Sequence, residues 1–143
     1  MPWQKSELCK QLGLKYPIVQ GPFGGGLSSV RLAATVSNNG GLGSFGAHHL
    51  SSADIYQTIL DLRASTAQPF NINLWVSVHD EGGLSSTAAE FDQNLQRFQS
   101  LYASYGVNAP AKPESFTYRF DDQIQAVLDA RPAVLSVVYG IPS

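Results

Sequence analysis

Strand-like and helix-like patterns alternate along this chain from end to end, and no other feature limits its possible folds so strongly. Pro17–Gln20 and Leu42–Phe45 are short apolar strands. Phe70–Val76 and Ala133–Tyr139 are longer ones, the last almost wholly apolar, as a parallel strand covered on both faces would be. Between them lie helical patterns. Ser28 or Ser29 caps a helix running to about Asn38, with Leu32, Ala33 and Val36 on one face, and Gly40 and Gly41 stop it. Ser51 or Ser52 starts a helix in which Ile55, Ile59 and Leu62 share a stripe. Ser86 opens a long one with Phe91, Leu95, Phe98, Tyr102 and Tyr105 aligned for packing, and Phe120–Ala130 turns Ile124, Val127 and Leu128 inward. The prolines between Gly106 and Arg119 make that stretch a loop. Strands joined through helices form right-handed crossovers and a parallel sheet, which is either a small open sheet or part of a closed barrel.

At 143 residues the chain has the size of one domain, and its net charge of -2 gives no electrostatic reason to bind nucleic acid. No apolar stretch approaches the ~20 residues of a membrane span, and the N-terminus lacks the apolar core of a secretory signal. The lone Cys9 excludes an internal disulfide and a cysteine-based zinc cluster, and it is expected to pack in an N-terminal helix. The expected setting is cytoplasmic.

In either architecture the strand ends that precede helices gather at one rim, where ligands of such sheets bind. That rim carries Gln20 to Gly26, Ser44 to His49, Asn73 to Glu81 and Tyr139 to Ser143. In QGPFGGG, from Gln20 to Gly26, backbone amides are bare of side chains and Pro22 fixes the turn. A flat ligand or a phosphate could lie there, or the stretch is only a tight strand-to-helix turn. GLGSFG, from Gly41 to Gly46, matches the dinucleotide pattern G-x-G-x-x-G, but its glycines flank a strand where the pattern requires a strand before them and a helix after. Asn71 and Asn73 share one face of their strand. They bond neighbouring backbone, or they bind something polar such as the edge of a heteroaromatic ring.

His48, His49 and His79 fall in rim loops, yet nothing in their spacing supports a metal site, and Asp80 and Glu81 beside His79 read as a solvated loop. Neither a G-x-S-x-G elbow nor a phosphate-binding G-x-x-x-x-G-K-[ST] loop occurs.

The strings LKYPIVQGPFGGGLSSVRLAATVSNNGGLGSFGA, PFNINLWVSVHDEGG and RFDDQIQAVLDARPAVLSVVYGIPS together resemble the opening of the nitronate monooxygenase family, formerly called 2-nitropropane dioxygenase. The resemblance covers essentially the whole chain. It implies an FMN enzyme on a TIM barrel that oxidises alkyl nitronates with O2 to carbonyl compounds and nitrite. A complete barrel needs ~250 residues and eight strands, so the expected fold is α/β: the N-terminal half of a TIM barrel, about four βα units, within one FMN-binding domain cut after its fourth strand.

By the same resemblance Pro22, Phe23 and Gly24 match the segment whose backbone lies along the flavin ring, and Asn73 matches an asparagine that reaches it, with Gln20 and Gly21 as further candidates. Phe23 stands where the family often has methionine, which bears on substrate preference. The phosphate site and the catalytic histidine are expected after Ser143, so the fragment alone is expected to be inactive and no catalytic residue is assigned. Two other readings stay open. One is an FMN-dependent enoyl reductase of the same barrel. The other is a non-catalytic half-barrel that associates with itself through open sheet edges.

Overall fold

The structure, a computed structural model, describes residues 6–76, 87–112 and 117–142. They fall into two compact units, one within residues 1–77 and 118–143, the other within 78–117.

The first unit is a three-stranded parallel sheet with helices against one face. Its elements are α1 (Glu7–Leu12), α2 (Val30–Asn38), β1 (Gly43–Gly46), α3 (Ser52–Ser65), β2 (Phe70–Trp75), α5 (Phe120–Ala130) and β3 (Val134–Val138), with sheet order β1-β2-β3. The expected first strand is reduced to one parallel bridge, Val19 to Leu42. Backbone bonds from Tyr16 to Gly40, Leu42 to Ile18 and Gln20 to Leu42 nevertheless carry a parallel pairing along that stretch. Register pairs Ser44 with Asn71, Gly46 with Asn73, and Asn73 with Ser136.

Because side chains alternate and registered neighbours in a parallel pair share a face, the sheet has two sides of opposite character. Phe45, Ile72, Leu74, Leu135 and Val137 face α3 and α5, where Ile55, Ile59, Leu62, Phe120, Val127 and Ala130 complete the core. Ile55, Ile59 and Leu62 are fully buried, as their spacing predicts, and burying each stabilises the fold by about 1.5–3 kcal/mol. The other side carries Ser44, Asn71, Asn73 and Ser136. At its lower end Leu42 and Val134 meet Cys9, Leu12 and Leu14, so α1 closes that end with an apolar plug and Cys9 packs within it.

Helix boundaries follow local chemistry. Ser29 and Ser51 accept from Leu32 and Asp54 backbone N–H groups as N-caps, and Ser6 does the same for Cys9. Helix α5 has no side-chain N-cap. At its other end Arg63 of α3 donates to the carbonyls of Ala130 and Arg131, placing a cation where the helix dipole is negative. Between α2 and the sheet, buried Ser37 donates to Pro69 O and accepts from Gly43 N–H. A Cβ at Gly43 would collide with the Ala33 carbonyl, so this glycine sets how closely α2 approaches β1.

Three packing expectations are corrected. Leu32 is exposed, and α2 turns Ala33, Ala34 and Ser37 inward, because the approach at Gly43 leaves room only for small side chains. In α5 Leu128 is 56% exposed while Gln123 is buried, since Gln123 bonds the carbonyls of His48 and Leu50. Strand β3 is half-buried instead of covered on both faces, because it is an edge of the described sheet.

The second unit holds α4 (Ala88–Ser104). Thr87 caps it in a reciprocal box: Glu90 N–H donates to Thr87 Oγ1, and the Thr87 backbone N–H and hydroxyl donate to the Glu90 carboxylate. Those donors, the backbone one first, hold the Glu90 carboxyl below its ordinary pKa. Ser86, the expected cap, lies outside the described residues. No residue of α4 is fully buried, so its aromatic stripe does not form the expected core, and Phe98 and Tyr105 are exposed.

Candidate functional site

The candidate residues converge at the C-terminal ends of the strands, and the convergence starts from Gly46. Its missing side chain lies on the polar side of the sheet. A Cβ there would sit 2.6 Å from Pro22 O, 2.9 Å from the Phe23 carbonyl carbon and 3.0 Å from Gly24 N. The backbone of Pro22–Gly24 therefore folds over the sheet at the position next to Asn73, the registered partner of Gly46. Gly25 and Gly26 then adopt left-handed φ values of 66° and 84°, which turn the chain towards α2.

Gln20 belongs to the frame that holds this loop. Its Nε2 donates to Ser44 O at 2.9 Å and its Oε1 accepts from Ser44 N–H at 3.3 Å, so the side-chain amide pairs with β1 where the main chain leaves the sheet. Phe23 is 64% exposed, and its ring occupies the space a Gly21 side chain would need.

Gly24 abuts His48: a Cβ on Gly24 would collide with Cε1 of the imidazole. The His48 ring stacks on Trp75 with centroids 3.5 Å apart and planes 4° from parallel, and Tyr139 meets Trp75 edge-on at 5.2 Å. Tyr139 leaves β3 with φ 70°, a conformation that bulky residues seldom adopt. Burial, and secondarily the neighbouring His49, lower the His48 pKa, and its Nδ1 is buried with no partner among the described residues. His48 is thus a neutral wall of the loop cradle. His79, Asp80 and Glu81 lie outside the described residues.

Asn73 sits at the inner end of the cradle. Its Nδ2 donates to Ser136 Oγ at 2.9 Å and Ser136 O at 3.2 Å; Asn71 Nδ2 donates to the same Oγ at 2.8 Å and to Ser44 Oγ at 3.3 Å. Asn71 Oδ1 is sealed off without a partner among the described residues. Asn73 Oδ1 is not closed in that way, and no donor among the described residues reaches it.

The structure thus gathers Gln20, Gly21, Pro22, Phe23, Gly24 and Asn73 at one end of one sheet face. Sequence reasoning missed Ser136, and it placed Gly46, Trp75 and Tyr139 at the rim without giving them a role. Alternation from Asn71 and Asn73 points to Trp75, whereas the role of Gly46 needed the tertiary approach of the loop. Among the described residues no cluster of three or more potential metal ligands occurs, and no helix is long and apolar enough to cross a membrane.

The profile described as nitronate monooxygenase matches residues 5–143. The chain belongs to the nitronate monooxygenase family. A nitronate monooxygenase of Paraburkholderia phytofirmans is 35% identical over 142 residues, covering 97% of this chain and 37% of that protein. A solved structure described as nitroalkane oxidase from Streptomyces ansochromogenes superposes with a TM-score of 0.70 at 28% identity, covering 96% of this chain and 37% of the other. FabK from Thermotoga maritima, at 20% identity, a TM-score of 0.60 and 93% and 30% coverage, shares the fold. These neighbours are TIM barrels, so the parallel strands and helices of this chain are the corresponding N-terminal part of that fold, and the polar face of the sheet is the barrel's interior. The chain spans between 30% and 37% of the length of these proteins.

Proposed function

We propose that this chain supplies the flavin-ring side of an FMN-dependent nitronate monooxygenase of the cytoplasm, which oxidises alkyl nitronates with O2 to carbonyl compounds and nitrite. The observation that carries the reading is the backbone cradle of Pro22–Gly24, floored by Gly46 and placed beside Asn73. A flat heteroaromatic ring needs this combination of close main chain and one polar group at its edge. The residues present fit that ring. For its phosphate they offer no cationic partner, since Gln20–Gly26, Gly46–Leu50, Asn73–Val76 and Tyr139–Pro142 contain no lysine or arginine.

Bound FMN supplies the two-electron redox chemistry and the reaction with O2. This chain's own residues bind and orient. Pro22–Gly24 would lie along the ring and Asn73 would meet its edge, with the stacked His48–Trp75 pair as the neighbouring wall. A nitronate has already lost its carbon-bound proton, so its recognition asks no base of these residues, and none is assigned here.

Titration of the 143-residue chain with FMN and with riboflavin, followed by flavin fluorescence, tests the reading. Both are expected to bind weakly and equally, because the contacts are to the ring. Failure of both to bind would overturn it. Oxidation of NAD(P)H with an enoyl thioester, without nitronate oxidation, would instead favour an enoyl reductase. Light scattering on the same sample tests whether edge strands such as β3 pair between two copies.

A further inference from the structure

The polar face of the sheet carries more order than a ring-binding asparagine requires. Asn73 has two amide protons, and both are committed to one residue, Ser136, its registered neighbour on β3. Of the two oxygens there, the hydroxyl can donate or accept, but the backbone carbonyl can only accept. Reversing the Asn73 amide would set Oδ1 against that carbonyl, acceptor facing acceptor. The Ser136 carbonyl therefore decides which end of the amide faces inward, and the hydroxyl, held in turn by Asn71 Nδ2, adds the shorter of the two bonds.

We propose that Ser136 is a positioning residue of this site: it takes both amide protons of Asn73, so that Asn73 meets a ligand only through Oδ1. A ligand seated there must bring a donor to that oxygen, and a planar group with an imide or amide N–H at its edge meets this demand. A ring that presents only carbonyl or aza acceptors leaves Oδ1 unmatched. The inference deepens the flavin reading and rests on it for the identity of the ring, since the flavin imide N3–H is such a donor. The hydrogen-bonded lock itself stands on the protein alone.

Two measurements separate these levels. In 15N-labelled chain the side-chain amide of Asn73 is expected to show two hydrogen-bonded proton resonances. Ser136→Ala should shift one of them towards the value of a free amide, the other remaining on the backbone carbonyl, and Ser136→Thr should restore the pattern. Should Ser136→Ala fail to fold, Ser136→Cys replaces it. A wild-type Asn73 amide with free resonances, or one that does not respond to loss of the hydroxyl, overturns the lock.

For the ligand, FMN is compared with its N3-methylated derivative. Methylation should weaken binding to the wild type about tenfold, the worth of one hydrogen bond with a buried group, and the gap should narrow in Ser136→Ala. Equal affinity of the wild type for both flavins overturns the acceptor assignment. Binding of neither flavin counts against the flavin reading and leaves the lock to be decided by the amide resonances.

Discussion

The two faces of the one sheet are built from the same three strands and do opposite work. On the helix side Phe45, Ile72 and Leu74 disappear into an apolar core, with half-buried Leu135 and Val137 packed against it, and its stabilisation grows with area and asks little of orientation. On the other side Ser44, Asn71, Asn73 and Ser136 are linked by directional bonds of 2.8 to 3.3 Å, and one acceptor, Asn71 Oδ1, goes without a partner among the described residues. An unmatched buried acceptor costs about 1–3 kcal/mol. A chain that tolerates this on one face, while packing the other so fully, has given the polar face to presenting groups.

Substitutions on the helix side should have the largest effect. Ile59→Ala removes a fully buried side chain between α3 and the sheet and should cost about 2–5 kcal/mol in urea unfolding. A loss below about 1 kcal/mol would show that the core is loosely packed and would weaken the contrast. On the polar side Asn73→Asp keeps shape but sets a carboxylate against the Ser136 carbonyl, with an expected loss of about 1–3 kcal/mol at neutral pH. Once protonated, the carboxyl group of this variant can donate again, so its folded pKa is raised, and the lost stability should return as pH falls below it. An equal loss at acid and neutral pH would break the assignment of the amide.

Smaller effects probe the boundary between the faces. Gly24→Ala forces the loop away from His48, and His48→Ala in the same chain should recover much of the loss; additive costs would mean that the two do not touch in solution. Arg63→Met leaves two carbonyls at the end of α5 without their cation and should cost about 1 kcal/mol. The smallest effect is the wild type's own pH dependence through His48. Its folded pKa lies below its unfolded value, so the unfolded chain takes up more protons, and stability present above pH about 6.5 declines as pH falls through the folded pKa. His48→Phe should flatten that decline.

The helix side was legible in the sequence because it is written in period and apolarity: Ile55, Ile59 and Leu62 fall where their spacing puts them, and so does the strand from Phe70. Leu32 and Leu128 misled because an apolar residue at helical spacing does not reveal how near its helix lies to the sheet, and at α2 it is Gly43 that decides that distance. On the polar side the alternation of Asn71 and Asn73 was readable, as was the glycine-rich loop. Ser136 was not, since it sits inside an apolar string as a small polar residue with no local reason to be noticed. Its meaning comes from register with a strand more than sixty residues earlier.

Gln20 carries one more consequence. Its carboxamide completes, from a side chain, the two-way hydrogen bonding that a peptide unit would give to Ser44, and so the main chain is free to leave the sheet one residue early. Such a surrogate has a strict length and needs both a donor and an acceptor. Asparagine would fall short and glutamate would lack the donor. A change at position 20 would therefore register less where it occurs than three residues on, as a drift of the loop that Gly46 makes room for.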